Sequence, residues 1–522
     1  MSLGSALVWF RNDLRTLDNP ALLEAARYVR TARTTGGNAV LKGIIIIVPY
    51  ELNKVRQWGF AKTDYYLQSV RALRLKIEAL KVPLIVKVSK ENFTSEDQLN
   101  DHIACVLANT AKEQGCDAVF YNHEYEGTSI KRDSAVSKKL EQASIVQHVT
   151  HDQCVVPVGR LTTKSTGTPF KIFSQFKKSW AAYIVEHGVG ISDTIALQQC
   201  ETHQSNAIPE AKDFFETGDL SHLNLDSIRQ AFPAGEDAAM ARLKTFLAKH
   251  VSNYDTDRNE ASEDGASRLS APLAVGAISL RLCLSEALSR NGGKLTSGAN
   301  GVVKWIGELC WRDFYRHVLF SFPHVGQGYS FKPEFQNLPW RAWPEGANSQ
   351  DEADFKKWIQ GHTGVPIVDA AMRQLHREAW LPNRTRMIVA MFLTKDLLIH
   401  WRRGEQSFAR QLIDYDFASN NGGWQWSAST GTDSQPYFRI FNPVLQSEKF
   451  TPDGSYIRRY VSELNSIPAP LIHDPSNRCE QGLLKKTGYP LAMVDHKEVK
   501  IKVLAIFTAL SKNSSKKREN DE

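Results

Sequence analysis

Two hydrophobic rhythms divide the chain. In the first part, short apolar runs alternate with stretches of helical periodicity such as 19–33 and 63–80; the runs are Ala6-Leu-Val-Trp-Phe10, Gly43-Ile-Ile-Ile-Ile-Val48, Pro83-Leu-Ile-Val-Lys-Val88, Asp117-Ala-Val-Phe-Tyr121 and Ile145-Val-Gln-His-Val149. Near-continuous β-branched runs read as strands buried on both faces, and their alternation with helices is the pattern of a parallel sheet covered on both sides. A doubly wound α/β domain is expected over residues 1–150. Residues 151–205 lose the rhythm and become Gly-, Thr- and Gln-rich around one basic aromatic piece, Phe170-Lys-Ile-Phe-Ser-Gln-Phe-Lys-Lys-Ser-Trp180. They read as a long inter-domain connection lying on the surface.

From 206 to 490 amphipathic helical patterns take over, predicting a larger, mainly α-helical domain. Ser270-Ala-Pro272 leads into one expected helix over 273–284, and 304–320 reads as a second. Pro366 occupies a first helical position before 367–378, and 383–401 is long and apolar enough for a helix buried on most sides. Residues 491–522 are expected to hold a last helix and then a tail from Ser511 whose charge and lack of periodicity predict disorder.

Bulk properties refine this picture only slightly. A chain of 522 residues exceeds the size at which one hydrophobic core keeps growing, which favours two domains. A net charge of +7 permits a polyanionic partner without requiring one. The seven cysteines are scattered, with no close pair or His cluster at metal-ligand spacing, so reduced thiols and no metal site are expected. Met1-Ser-Leu-Gly-Ser leads straight into an apolar run and no run approaches membrane-spanning length. A soluble, internal, monomeric protein is expected, cytoplasmic in a prokaryote and nuclear in a eukaryote.

Candidate chemistry concentrates between Ile413 and Asp433. From Phe417 to Thr432 there is no formal charge and no Leu, Ile or Val, yet Trp424 and Trp426 follow the paired Gly422 and Gly423. This reads as a Gly-rich loop in which stacked aromatics, the amides of Asn420 and Asn421 and bare backbone suit a large flat heterocycle. Gly265-Ala-Ser-Arg-Leu-Ser270 can cap the following helix or hold a phosphate. Glu308, Trp311, Arg312 and Tyr315 fall within one-turn spacing, aromatics interleaved with charges as stacked bases and phosphates require. Asn383-Arg-Thr-Arg-Met387 opens a helix; Arg384 and Arg386 point in different directions, and a buried Arg386–Asp414 pair is expected. Arg11 and Asp13, after the first strand, lack any glycine fingerprint and read as a structural ion pair.

Taken together, Val8-Trp-Phe-Arg-Asn-Asp-Leu-Arg15, Ser267-Arg-Leu-Ser270, Glu308-Leu-Cys-Trp-Arg-Asp-Phe-Tyr315, Gly364-Val-Pro-Ile-Val-Asp-Ala-Ala-Met-Arg-Gln374, Asn383-Arg-Thr-Arg-Met387 and Asn420-Asn-Gly-Gly-Trp-Gln-Trp426 resemble the photolyase/cryptochrome family over nearly the whole chain. Within it the chain is most similar to class I cyclobutane pyrimidine dimer photolyases. The resemblance implies an α/β antenna domain joined to a helical domain that holds FAD, and blue-light repair of ultraviolet-damaged DNA by an electron passed from excited reduced flavin to a flipped-out dimer. The alternative is a cryptochrome-type photoreceptor that binds FAD without repair.

Carried over by residue, Tyr254, Ser267, Arg268, Leu269, Ser270, Trp305, Asp414, Tyr415 and Asp416 would contact FAD, with Asn420 facing flavin N5. Glu308, Trp311, Asn383, Met387 and Trp426 would receive the dimer. Arg312 and Tyr315 would join the DNA-facing set, and Arg258, Arg384 and Arg439 would grip phosphates. Trp424, Trp401 and an outer tryptophan would carry electrons to oxidised flavin; Trp340 is chosen over Trp343. Two departures stand out. Ala266 replaces a usual threonine, and Thr128 and Ser129 stand where folate-binding members carry Asn-Glu. These departures leave three alternatives for a second antenna chromophore: a folate bound differently, which is favoured, a deazaflavin, or none.

Overall fold

Strands β1 (Ser5–Trp9), β2 (Leu41–Ile47), β3 (Leu84–Val88), β4 (Cys116–Asn122) and β5 (Val146–Thr150) form one sheet in the order β3-β2-β1-β4-β5, every pairing parallel. The computed structural model describes residues 4–192, 207–215, 223–260, 265–344, 348–434 and 436–521, with side chains to 511. Helices α1 (Pro20–Thr34), α2 (Phe60–Ala79), α3 (Glu96–Glu113) and α4 (Gly127–Gln142) connect the strands. The start of α1 is set locally: Asn19 accepts from Leu22 N, and Pro20 supplies a pre-formed φ at the first helical position.

Alternation along β1 sends Leu7 and Trp9 to a core shared with Leu99, Leu107 and Leu140 of α3 and α4, and Ala6 and Val8 to the opposite face with Leu22, Leu67 and Val70. The second core does not stop at the sheet; it runs on through Trp358, Trp401 and Trp424 of the helical half. Backbone meets backbone there, since a Cβ on Gly59, which starts α2, would lie 1.6 Å from Arg410 O. Buried ion pairs complete the junction: Arg15 with Asp152, and Arg281 with Asp18 at 2.9 Å and Asp152 at 2.8 Å. Arg11 and Asp13, expected to pair, do not. The Arg11 guanidinium pairs with Asp133 at 2.7 Å, while the Asp13 carboxylate is taken up by Arg11 N at 2.7 Å and the Asn122 amide at 2.6 Å. Asp13 thus fixes the turn after β1.

Four further expectations are corrected. Residues 173–187 are not a surface connection: α5 (Phe173–His187) buries Phe176, Trp180 and Ile184 in a core with Phe246 and Phe314, and Trp180 Nε1 donates to Asp313 at 2.8 Å. The rest of that segment from 193 to 205 lies outside the described residues. The helix expected over 273–284 is two, α6 (Ser270–Ala274) and α7 (Leu280–Arg290). They part at Gly276, whose φ of +66° and close approach to Asn12 exclude a side chain, and α7 restarts on the Ser279 cap.

After α8 (Asn300–Ser321) and α9 (Pro366–Glu378, with Pro366 first as expected), the stretch 383–401 is also broken. Helix α10 (Asn383–Met391) widens into a π turn over Phe392–Asp396, Leu398 takes φ +51°, and α11 (Trp401–Gln411) begins on a His400 side-chain cap. Next comes α12 (Phe417–Ala428), and the last helix, α13 (His496–Asp521), runs through the stretch expected to be disordered, where no Gly or Pro interrupts it. Phe507 of α13 packs on Phe335 and beneath Lys395 Nζ, 3.6 Å from its ring. No helix among the described residues is long and apolar enough to cross a membrane.

Candidate functional site

The run read as a Gly-rich loop is the helix α12. Asp416 caps it by accepting from Ser419 N, and Ser429 closes it in a left-handed conformation. Each interior glycine costs a helix about 1 kcal/mol relative to alanine, and the surroundings explain both. A Cβ on Gly422 would meet the Tyr315 ring at 2.2 Å, so this glycine sets the approach of α8. A Cβ on Gly423 would meet nothing within 4 Å, because Gly423 faces a cavity.

That cavity, of about 480 Å³, is enclosed by α8, α10, α12 and the turns before α6 and α12. Helical spacing determines who lines it: Trp305, Glu308, Arg312 and Tyr315 with Trp311 from α8, Asn383, Arg386, Met387 and Ala390 from α10, and Asn420, Gly423, Trp424 and Ser427 with Trp426 from α12. Tyr254, Arg258, Ser267, Arg268, Ser270, Asp414, Tyr415 and Asp416 complete the wall. Of the residues assigned from sequence to the flavin or dimer, Leu269 does not line it; its side chain is buried behind. The cap position of α6 is Leu269 with no side-chain bond; the Ser267 hydroxyl accepts from Leu269 N at 3.4 Å, and both Ser267 and Ser270 line the cavity.

The charges pair in depth. Arg386 donates to Asp414 at 2.7 Å, the expected pair, and Asp414 Oδ1 stays buried with no hydrogen-bond partner among the described residues. Asp416 binds Arg316 at 2.6 Å and Arg312 at 3.0 Å; burial pushes this carboxyl up, but the two guanidiniums outweigh burial and hold it below the usual carboxylate range. Burial and Arg316 lower Arg312 to about 10. Arg312, which lines the cavity, also donates to Leu273 O at 3.0 Å and so acts as an internal counter-ion to Asp416.

Arg258 is drawn to Glu308 as an ion pair. Arg384 lies 4.4 Å from the Phe450 ring and donates to Asn259 at 2.8 Å, while Arg439 is exposed. Asn383 Nδ2 contacts Met387 Sδ at 3.6 Å. Asn420 Nδ2 donates to Glu405 O at 3.0 Å, and Asn421 Nδ2 to the Glu405 carboxyl at 2.8 Å.

Trp424 sits against Gly404 and, edge-on, against Phe408 at 5.0 Å. Trp401 is fully buried, with His400 at 5.7 Å, and both candidate outer tryptophans adjoin that histidine: Trp343 stacked at 4.5 Å and Trp340 tilted at 5.4 Å. Residues 345–347, which follow Trp343 closely, lie outside the described residues.

Sequence reasoning missed Arg316, Glu405 and Lys62. Arg316 follows Arg312 by one turn and was legible as such. Lys62 is fully buried behind the site, its ammonium lowered to about 7 by burial despite Asp416 and Asp414. A lysine near a helix start carries no sign of that in sequence.

A parallel sheet welded to a helical half, with one polar-floored, aromatic-walled cavity within it, defines a nucleotide-cofactor protein whose ligand enters the helical part. Residues 6–190 match the family described as DNA photolyase and 305–509 the FAD binding domain of DNA photolyase. The chain is 36% identical over 504 residues to the deoxyribodipyrimidine photo-lyase of Vibrio cholerae, covering 96% of this chain and 98% of that one. Among solved structures it resembles a class III photolyase of Agrobacterium tumefaciens (TM-score 0.79, 31% identity, 98% of each chain) and a Synechocystis cryptochrome (TM-score 0.77, 25% identity, 96% of this chain and 99% of that one). The chain belongs to the DNA photolyase family.

The cavity fits the FAD that this family binds. Asp414 Oδ1 offers a buried acceptor for a hydroxyl or amine, the Ser267 and Ser270 hydroxyls face the space beside Arg268, and the bare backbone of Gly423 allows close approach of a flat ring. A second chromophore fares differently. A crevice beyond the carboxyl ends of β1 and β2, the end of the sheet at which doubly wound folds bind ligands, retains only about 20 Å³. Arg11 and Arg132 lie 4.4 and 5.0 Å from the Trp9 ring, and Glu51 and Glu124 tie Arg56 and Arg132 across it. Ser129 is buried and donates to Glu124 at 3.0 Å.

Proposed function

We propose that this chain splits cyclobutane pyrimidine dimers in DNA under light, using FAD held in the helical cavity. The observation that carries the reading is the juxtaposition, in one cavity, of a flavin-sized floor with Trp311, Trp426, Glu308, Asn383 and Met387. When bound, reduced FAD supplies the light absorption and the electron that opens the cyclobutane ring.

The side chains prepare the dimer for that event. A fused pyrimidine pair stacks and pairs poorly in a duplex, so its extrusion costs less than that of an intact base, and Trp311 and Trp426 restore stacking. The Glu308 carboxylate, ion-paired with Arg258, accepts hydrogen bonds from the ring N–H groups, while the arginine balances its charge as the dimer gains an electron. Asn383 adds an amide and Met387 a polarisable wall. Asn420, whose Nδ2 is held by the Glu405 carbonyl, keeps Oδ1 as the acceptor for the flavin N5 side. Arg439, exposed, and Arg384 serve the flanking phosphates. Trp424, Trp401 and an outer tryptophan beside His400 form the route by which oxidised cofactor is reduced.

A second chromophore, where one binds, is a folate before a deazaflavin and would lie outside the narrow crevice beyond β1 and β2. A photoreceptor that binds FAD without repair is the second reading, favoured by the likeness to a cryptochrome. Illumination of the reduced holoprotein with a thymine-dimer oligonucleotide separates them: recovery of thymine absorbance supports repair, and no light-dependent recovery refutes it. Glu308→Ala should lower repair yield while FAD content holds; equal loss of both assigns Glu308 a structural role.

A further inference from the structure

We propose that Phe173 is a positioning residue that fixes the plane of Trp311 for stacking on an extruded pyrimidine; this rests on the repair reading above. Phe173 opens α5, outside the helices that build the cavity. Its ring lies face to face on the Trp311 indole, with centroids 3.6 Å apart and planes within 6°. Trp311 lines the cavity and Phe173 does not. Phe173 thus covers one face of the indole, and Tyr315 lies tilted at 33° with its centroid 5.4 Å away, while the indole itself still lines the cavity.

Phe173 is in turn immobilised. Its ring meets Phe314 edge-on at 5.7 Å, and Phe314 meets Trp311 at 5.6 Å, so three aromatics lock one another. The backbone is held as well. Phe173 N donates to the Asp433 carboxylate at 3.3 Å, and the Thr432 hydroxyl donates to Lys171 O at 2.7 Å. Thr432 and Asp433 belong to the turn that follows α12, the helix bearing Trp426. One short strap therefore braces Trp311 and joins it to the segment that carries the opposite aromatic wall. An indole fixed before binding loses no rotamer freedom when a base stacks on it, so the gain appears in affinity for the extruded dimer alone.

The test compares binding of reduced holoprotein, in the dark, to thymine-dimer and undamaged oligonucleotides. Phe173→Leu, with Phe173→Met as a second non-aromatic filler should the first lose FAD, is expected to weaken dimer binding between about twofold and tenfold, the equivalent of one aromatic pair. Binding of undamaged DNA and FAD content should stay at parent level, and Phe173→Tyr should restore dimer affinity. In a Trp311→Leu background the Phe173 substitution should cost nothing further. Parent-level dimer affinity in Phe173→Leu, equal weakening on both DNAs, or an undiminished cost without Trp311 each overturns the inference. A parent protein that binds both DNAs alike overturns the repair reading instead.

Discussion

Gly422 and Gly423 are neighbours in sequence with opposite demands, and alanine substitution should separate them. Alanine in a helix interior gains about 0.8–1 kcal/mol over glycine. At Gly423 nothing lies within 4 Å of the added methyl, so that gain should appear in full as stability, while the methyl enters the cavity and weakens FAD retention. At Gly422 the methyl meets Tyr315 Cδ1 at 2.2 Å, at the root of a ring hemmed in by Trp311 at 5.4 Å and Phe314 at 5.9 Å. Overpacking of this kind costs about 1–3 kcal/mol, which outweighs the helical gain and leaves a net loss of up to about 2 kcal/mol. Urea unfolding of both variants, with FAD content measured by absorbance after gel filtration, reads the two effects separately. Equal destabilisation by both alanines, or a stability gain for Gly422→Ala equal to that for Gly423→Ala, would refute the placement of the α12 faces.

Two further outcomes follow from buried groups. Burial raises the Glu405 carboxyl to about 7, against an ordinary value near 4.5, so the unfolded chain releases this proton first and the folded state loses stability as pH rises from about 4.5 through 7. At up to about 1.4 kcal/mol per pH unit the full effect is about 3 kcal/mol. Glu405→Gln, which keeps an acceptor for Asn421, should remove that loss; parallel stability profiles of variant and parent between pH 5 and 8 would sink the assignment. Trp424→Phe should slow light-driven reduction of FAD by an external thiol yet spare repair when the flavin is reduced chemically. Unimpaired photoreduction would mean that electrons take another route.

The sheet was legible because its strands are apolar and β-branched on both faces, and the Arg386–Asp414 pair because a basic and an acidic residue flank the cavity motifs. The helix α12 was not, and the reason is physical. Its buried positions include Ala418, Asn421, Gln425 and Ala428 at helical spacing, and the two amides are satisfied by Glu405, Val325 O and Tyr329 O. A stripe held by hydrogen bonds leaves no mark on a hydrophobic pattern. In α5 the spacing of Phe176, Trp180 and Ile184 was present, but intervening lysines gave it the look of a solvated face. Arg258 and Arg312 illustrate a third limit: an arginine meant for phosphate and one meant for an internal carboxylate look alike until the partner is seen.

The apolar core that passes from the sheet through Trp358 and Trp401 to Trp424 has a mechanical consequence. The two halves are distinct in topology but not in mechanics. With Gly59 pressed on Arg410 O and Arg15 and Arg281 clasped to acids across the junction, no hinge separates them among the described residues. Such a molecule comes apart as one cooperative unit, and a protease that cut the connecting segment would leave two fragments still joined. The aromatic cavity takes its rigidity from a core that continues into the sheet.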